Sequence, residues 1–103
     1  MDTPTVLNVA ERSRFEIHVD GRIAGFAQYR MGDPGLIVFT HTEIDDAYEG
    51  RGLGSILIRA ALDAARSRSL AVRPECPFVR GYIGRHPEYL DLVPVDLRPR
   101  LGL

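Results

Sequence analysis

The spacing of apolar residues changes along the chain, and each change marks an element. From Arg14 to Val19 the pattern alternates: Phe15, Ile17 and Val19 fall on one face, and Arg14, Glu16 and His18 on the other. Period two predicts a half-buried strand. Asp20-Gly21 follows, a pair that accepts positive φ and so predicts a two-residue hairpin turn. Arg22–Met31 reads as the return strand, and Gly32-Asp33-Pro34-Gly35 as a second turn. Leu36–Ile44, LIVFTHTEI, is a third main strand rich in β-branched residues. Its first half is apolar throughout, which predicts cover on both faces there. Upstream, residues 1–13 read as loosely structured, with Thr5–Val9 as a short edge strand at most.

The period then lengthens. Leu53, Ile56, Leu57, Ala60, Ala61 and Ala64 fall at helical spacing, an apolar stripe for a long helix lying on the sheet. Arg59, Asp63 and Arg66 take the opposite side. Leu70–Pro74 is a short strand ended by proline. Residues 76–84 predict a second helix with Pro77 in its first turn, where a missing N–H costs little. His86-Pro87 breaks that helix, PEYLDL starts another helical turn, and the tail VPVDLRPRLGL is expected to add an edge strand or to fray. Strand, helix, strand implies a parallel pair joined by a right-handed crossover. The predicted fold class is therefore α/β: a mixed, mostly antiparallel sheet, a long central helix after the third main strand, and a C-terminal helical region.

Composition narrows the function classes. With 103 residues the chain is expected to form one domain, residues 1–103. Its 13 basic residues, all arginine, are balanced by 14 acidic ones for a net charge of -1, so no nucleic-acid partner is expected. One cysteine, Cys76, excludes an internal disulfide and fits a reducing compartment. The first residues lack a basic region followed by an apolar run, and no apolar run reaches membrane-spanning length. A cytoplasmic location, with no membrane partner, is the expectation.

Glu49-Gly50-Arg51-Gly52-Leu53-Gly54-Ser55 joins the third main strand to the helix. The first N–H groups of a helix are unpaired and carry partial positive charge. Glycines there let an anion reach them, so the turn suits phosphate or pyrophosphate. A P-loop requires a lysine, which the chain lacks, and the dinucleotide fingerprint requires GxGxxG rather than GxGxG. Taken alone, the turn is either a plain loop with a helix cap or an anion cradle.

Ile44-Asp45-Asp46-Ala47-Tyr48-Glu49-Gly50-Arg51-Gly52-Leu53-Gly54 resembles motif A of the GNAT N-acetyltransferases. Outside that motif the similarity extends to Arg14-Phe15-Glu16, Asp20-Gly21, His41-Thr42-Glu43, Pro74-Glu75-Cys76-Pro77-Phe78-Val79 and His86-Pro87-Glu88-Tyr89. Together they resemble the short single-domain GNAT-like subfamily from about residue 14 to about residue 93. The resemblance implies an N-acetyltransferase that uses acetyl-CoA as cosubstrate, no metal, and an unidentified amine as acceptor. It also implies that the amides of Gly50, Arg51, Gly52, Leu53, Gly54 and Ser55 hold the pyrophosphate, and that backbone near Glu43 and Ile44 holds the pantetheine arm. Glu49 departs from the arginine or glutamine usual at the first motif position, which leaves Arg51 as the nearby cation.

Acetyl transfer needs a base for the amine, a polarised thioester carbonyl and a proton for the departing thiolate. His41, Glu43 and Asp45 share one strand face by period two. Glu43 is the first candidate base, with His41 as orienter or alternate base; the other reading is a solvated strand face. Cys76, after the last strand and at a helix start that favours thiolate, is either an acyl acceptor, a residue lining the thioester end, or a small buried hydrophobe. Tyr82 and Tyr89 are either candidate acids for the thiolate or residues packed in the core or at the rim, the packed reading being the first for each; His86 is a helix cap or packed ring, and Arg80 a surface residue or phosphate contact. The helical segment that completes the acceptor side in longer GNAT domains has no counterpart before the hairpin, so that side is open or supplied by another molecule. A monomer or weak homodimer is expected. The alternative function is a non-catalytic CoA-binding or protein-interaction module; a cofactor-free domain that binds peptide at a sheet edge would leave the glycine turn unexplained.

Overall fold

The computed structural model describes residues 3–103; the first two residues of the segment read as loosely structured lie outside the described residues. A five-stranded sheet runs in chain order: β1 (Thr5–Val9), β2 (Arg14–Val19), β3 (Arg22–Met31), β4 (Leu36–Ile44) and β5 (Ala71–Pro74). β1 to β4 are antiparallel neighbours and β5 lies parallel to β4. Helix α1 (Leu53–Ser67) makes the crossover, α2 (Pro77–Arg85) follows β5, and a tail of 3₁₀ turns ends in the short α3 (Arg98–Leu101). Among the described residues no helix is long and apolar enough to cross a membrane.

The β2–β3 turn forms as its residues demand: Asp20 has φ 52° and Gly21 φ 76°, the left-handed pair of a type I′ hairpin. Phe15, Ile17 and Val19 enter the core, as alternation requires, together with Ile37 and Phe39 of β4. Val38 is buried as well, so the first half of β4 is covered on both faces. The opposite face of β2 departs from simple alternation. Glu16 is only 3% exposed, enclosed by its own charge partners rather than solvated.

α1 is where the apolar stripe predicts, but rotated. Leu53, Gly54, Leu57, Ile58, Ala61, Leu62 and Ala65 are buried, whereas Ile56 is 42% exposed. Burying side chains such as Leu57, Ile58 and Leu62 stabilises by about 1.5–3 kcal/mol each relative to exposure. The tail neither adds a strand nor frays. Leu97, Leu101 and Leu103 pack on the core, and Arg98 Nε donates to the Val93 carbonyl at 3.0 Å.

One irregularity in β4 decides which side chains reach which face. Gln28 pairs with His41 and Tyr29 with Phe39, so Thr40 is an extra residue. Strict alternation from Ile37 and Phe39 would send His41 and Glu43 into the core. A one-residue bulge reverses the faces beyond it. His41 and Glu43 therefore point outward and are exposed, while Thr42 and Ile44 turn toward the helices and are half-buried.

Candidate active site

β4 outlasts its parallel partner. The register with β5 ends at Phe39–Pro74, and proline offers no N–H to continue it. The last link is the Cys76 N–H donating to the Phe39 carbonyl at 2.9 Å. Past that point the strands part. Asp45 N–H donates to the Ala24 carbonyl at 2.8 Å, so in antiparallel alternation His41, Glu43 and Asp45 exchange hydrogen bonds with β3. Thr42 and Ile44 turn their amides and carbonyls the other way, into the gap. A cleft of about 500 Å³ occupies that gap, lined by Thr42, Ile44, Tyr48, Phe78 and the glycine turn.

The turn meets the cleft through Glu49, Gly50, Gly52, Leu53, Gly54 and Ser55. Its glycines do separate jobs. Gly50 has φ 80° and Gly52, the N-cap of α1, φ 71°, a region that L side chains rarely adopt. Beyond both, the space where a Cβ would stand is open. Gly54 instead allows close approach: a Cβ there would meet the Phe78 ring at 2.5 Å. The Arg51 guanidinium lies over the Tyr48 ring, 5.4 Å from its centroid, at the rim rather than in the lining. Asp45 caps the short turn before the glycines by accepting from Ala47 N–H at 2.9 Å.

Glu43 and His41 form a pair on the outer face, His41 Nε2 to Glu43 Oε2 3.2 Å, both side chains more than half exposed. Glu43 and Asp45 line a second cleft of about 230 Å³ with Arg14, Ile23, Gly25 and Phe26. Successive residues of β4 thus serve two clefts on opposite sides of one strand. Cys76 is 3% exposed, and its thiol donates to the Thr42 hydroxyl at 3.4 Å. Thr42 stands between Cys76 and the first cleft.

A family model described as GCN5-related N-acetyl-transferase matches residues 14–92. The chain belongs to this family, the GNAT acetyltransferases. The matched span nearly coincides with the run of motifs from about residue 14 to about residue 93. Protein NATD1 from mouse is 29% identical over 84 residues, covering 79% of this chain and 76% of that protein. NATD1 from Xenopus tropicalis is 34% identical over 84 residues, covering 79% and 77%. A solution structure of a GCN5-like protein from Staphylococcus aureus superposes with TM-score 0.64 at 25% identity, over 80% of this chain and 81% of that one.

The remaining candidates of this GNAT chain lie away from the first cleft. The Tyr89 hydroxyl donates to Asp63 Oδ1 at 2.7 Å. That bond, with burial, pushes the phenol up to about 12. Tyr82 is buried and stacks on His86 at 4.1 Å; burial raises its pKa. His86 is accordingly a packed ring at the end of α2. Arg80 does not line the cleft. Thr42, Tyr48 and Phe78 are lining residues that the motif reading passes over. For Thr42 alternation alone points away from the core, and it is the bulge at Thr40 that brings it to the helix side.

Proposed function

We propose that this protein is an acetyl-CoA-dependent N-acetyltransferase. The reading is carried by the first cleft, where the backbone groups of Thr42 and Ile44 have no partner among the described residues and β4 runs directly into the glycine turn at the start of a fifteen-residue helix. The residues fit the cosubstrate. Amides from Gly50 to Ser55 suit the pyrophosphate, with open space where glycine lacks a side chain. The free backbone groups of Thr42 and Ile44 suit the pantetheine amides, and half-exposed Phe78 offers an apolar wall. Bound there, acetyl-CoA supplies an activated acyl carbon.

The chain's own groups then divide the work. Glu43 takes a proton from the acceptor ammonium, with His41 orienting its carboxylate. The freed amine nitrogen bonds to the acyl carbon as the carbon–sulfur bond breaks, and the second proton that this nitrogen sheds neutralises the departing thiolate, relayed through the Thr42 hydroxyl. The Thr42 hydroxyl accepts from the Cys76 thiol, so its own proton is available toward the cleft. In this reading Cys76 remains a buried thiol that orients Thr42 and is not acylated. Tyr82 and Tyr89, held elsewhere, are not the acid.

The second reading is a module that binds CoA or a partner protein without turnover. Glu49, a carboxylate on the wall of an anion cleft, favours it. Acetyl transfer followed by release of CoA thiol separates the two. Glu43→Gln is expected to lower kcat about 10²- to 10⁴-fold with acetyl-CoA affinity unchanged, and Cys76→Ala to lower kcat far less. Measurable CoA binding with no turnover on any amine would leave the module.

A further inference from the structure

The second cleft has a charge pattern of its own. Glu16 is buried on the outer face of β2, with Arg14 Nε at 2.8 Å and Arg12 Nη1 at 3.2 Å from Oε2, and His18 Nε2 at 3.0 Å from Oε1. Two guanidiniums share one carboxylate, so net positive charge remains even with His18 neutral. The carboxylate fixes Arg14 by its Nε, and the Arg14 guanidinium carbon sits 4.5 Å over the Phe26 ring. Nothing bonds the terminal nitrogens of Arg14 among the described residues. Across the cleft stand Glu43 and Asp45, and no ion pair joins either to Arg14. Opposite charges thus face each other over a gap, one of them aimed by a buried partner.

We propose that this cleft binds the acceptor as a free α-amino acid, its carboxylate on the Arg14 fork and its ammonium toward Glu43 and Asp45. A planar guanidinium whose two terminal nitrogens are free suits a carboxylate. Phe26 and Ile23 supply apolar wall for a side chain, and the small volume suits a small molecule. The proposal rests on the acetyltransferase reading for what happens to the amine, since Glu43 is also its base. Arg14 then selects the acceptor, and Glu16 is a positioning residue that acts through Arg14.

Matched probes test it: leucine, leucinamide and 3-methylbutylamine, with glycine, glycinamide and methylamine beside them. Amide shifts of Gly25 and Phe26 are followed by NMR, with and without saturating CoA. The amino acids are expected to shift both residues at millimolar concentration, roughly 10- to 100-fold more tightly than the probes without a carboxylate. Arg14→Gln should erase that preference. Glu16→Gln should reduce it while the spectrum stays dispersed and CoA affinity is unchanged. Equal binding of acid and amide, a preference that survives Arg14→Gln, or no shift with either amino acid overturns the proposal. Amino-acid binding by a protein that fails to bind acetyl-CoA would uphold this cleft and remove the acetyltransferase reading.

Discussion

Tyr89 shows how one side chain joins two elements and carries a pH dependence. It is 6% exposed, and its phenol donates to Asp63 on α1. The Arg66 guanidinium lies 5.8 Å from its ring centroid and forms a double hydrogen bond to Asp91. The folded phenol titrates near 12, above its ordinary value of 10.0. The unfolded chain therefore releases this proton first as pH rises. The contribution to stability is complete below pH 10 and is lost between about 10 and about 12. Tyr89→Phe should cost about 1 kcal/mol at neutral pH and flatten the alkaline fall in stability, as measured by urea unfolding at a series of pH values. An unchanged alkaline profile in the variant would show that the Asp63 bond does not form.

At the scale of elements, Gly25 of β3 has the least room. A Cβ there would come 2.6 Å from the Glu43 carbonyl and 3.2 Å from the Ile44 Cα, both backbone atoms that cannot rotate away. Gly25→Ala must push β4 outward at the segment that serves both clefts. It should destabilise the fold by about 1–3 kcal/mol and weaken acetyl-CoA binding, seen together in thermal unfolding and titration. Wild-type values for both would mean that β4 is not held where it is described. The strands were legible because their apolar residues are large and alternate; even the edge strand Thr5–Val9 forms. The face of α1 was less so. Alanines at 60, 61, 64 and 65 fit either of two neighbouring stripes, and contact with the sheet chose the one with Ile58 and Leu62. The bulge at Thr40 left no local signature. Period two still grouped His41, Glu43 and Asp45, but only the shifted register puts them outside. Prolines in the tail suggested a strand or fraying, where Leu97, Leu101 and Leu103 find core to cover.

Over the whole molecule, helices cover one face of the sheet, while the other presents Arg14, Phe26, His41 and Glu43. The first cleft lies on the helix side and the second on the open side, with a single strand between them. On the proposed reading a nucleotide-bearing cosubstrate and an acceptor approach from different directions and meet where β4 and β5 part, beyond Phe39 and Pro74. It also explains how two kinds of glycine occur within five residues. Gly50 and Gly52 set the backbone of a turn that faces a cleft, and Gly54 seats a helix under Phe78. The sequence marked the turn as an anion cradle or a plain cap; the open space beyond Gly50 and Gly52 and the free β4 backbone beside them favour the cradle. The most direct test is calorimetric titration with acetyl-CoA and, in parallel, with acetyl-pantetheine lacking the nucleotide diphosphate. Tight binding that requires the diphosphate, and that weakens when Gly52 becomes valine, is the expected result. No binding of acetyl-CoA at millimolar concentration, or equal binding by Gly52→Val, would contradict it.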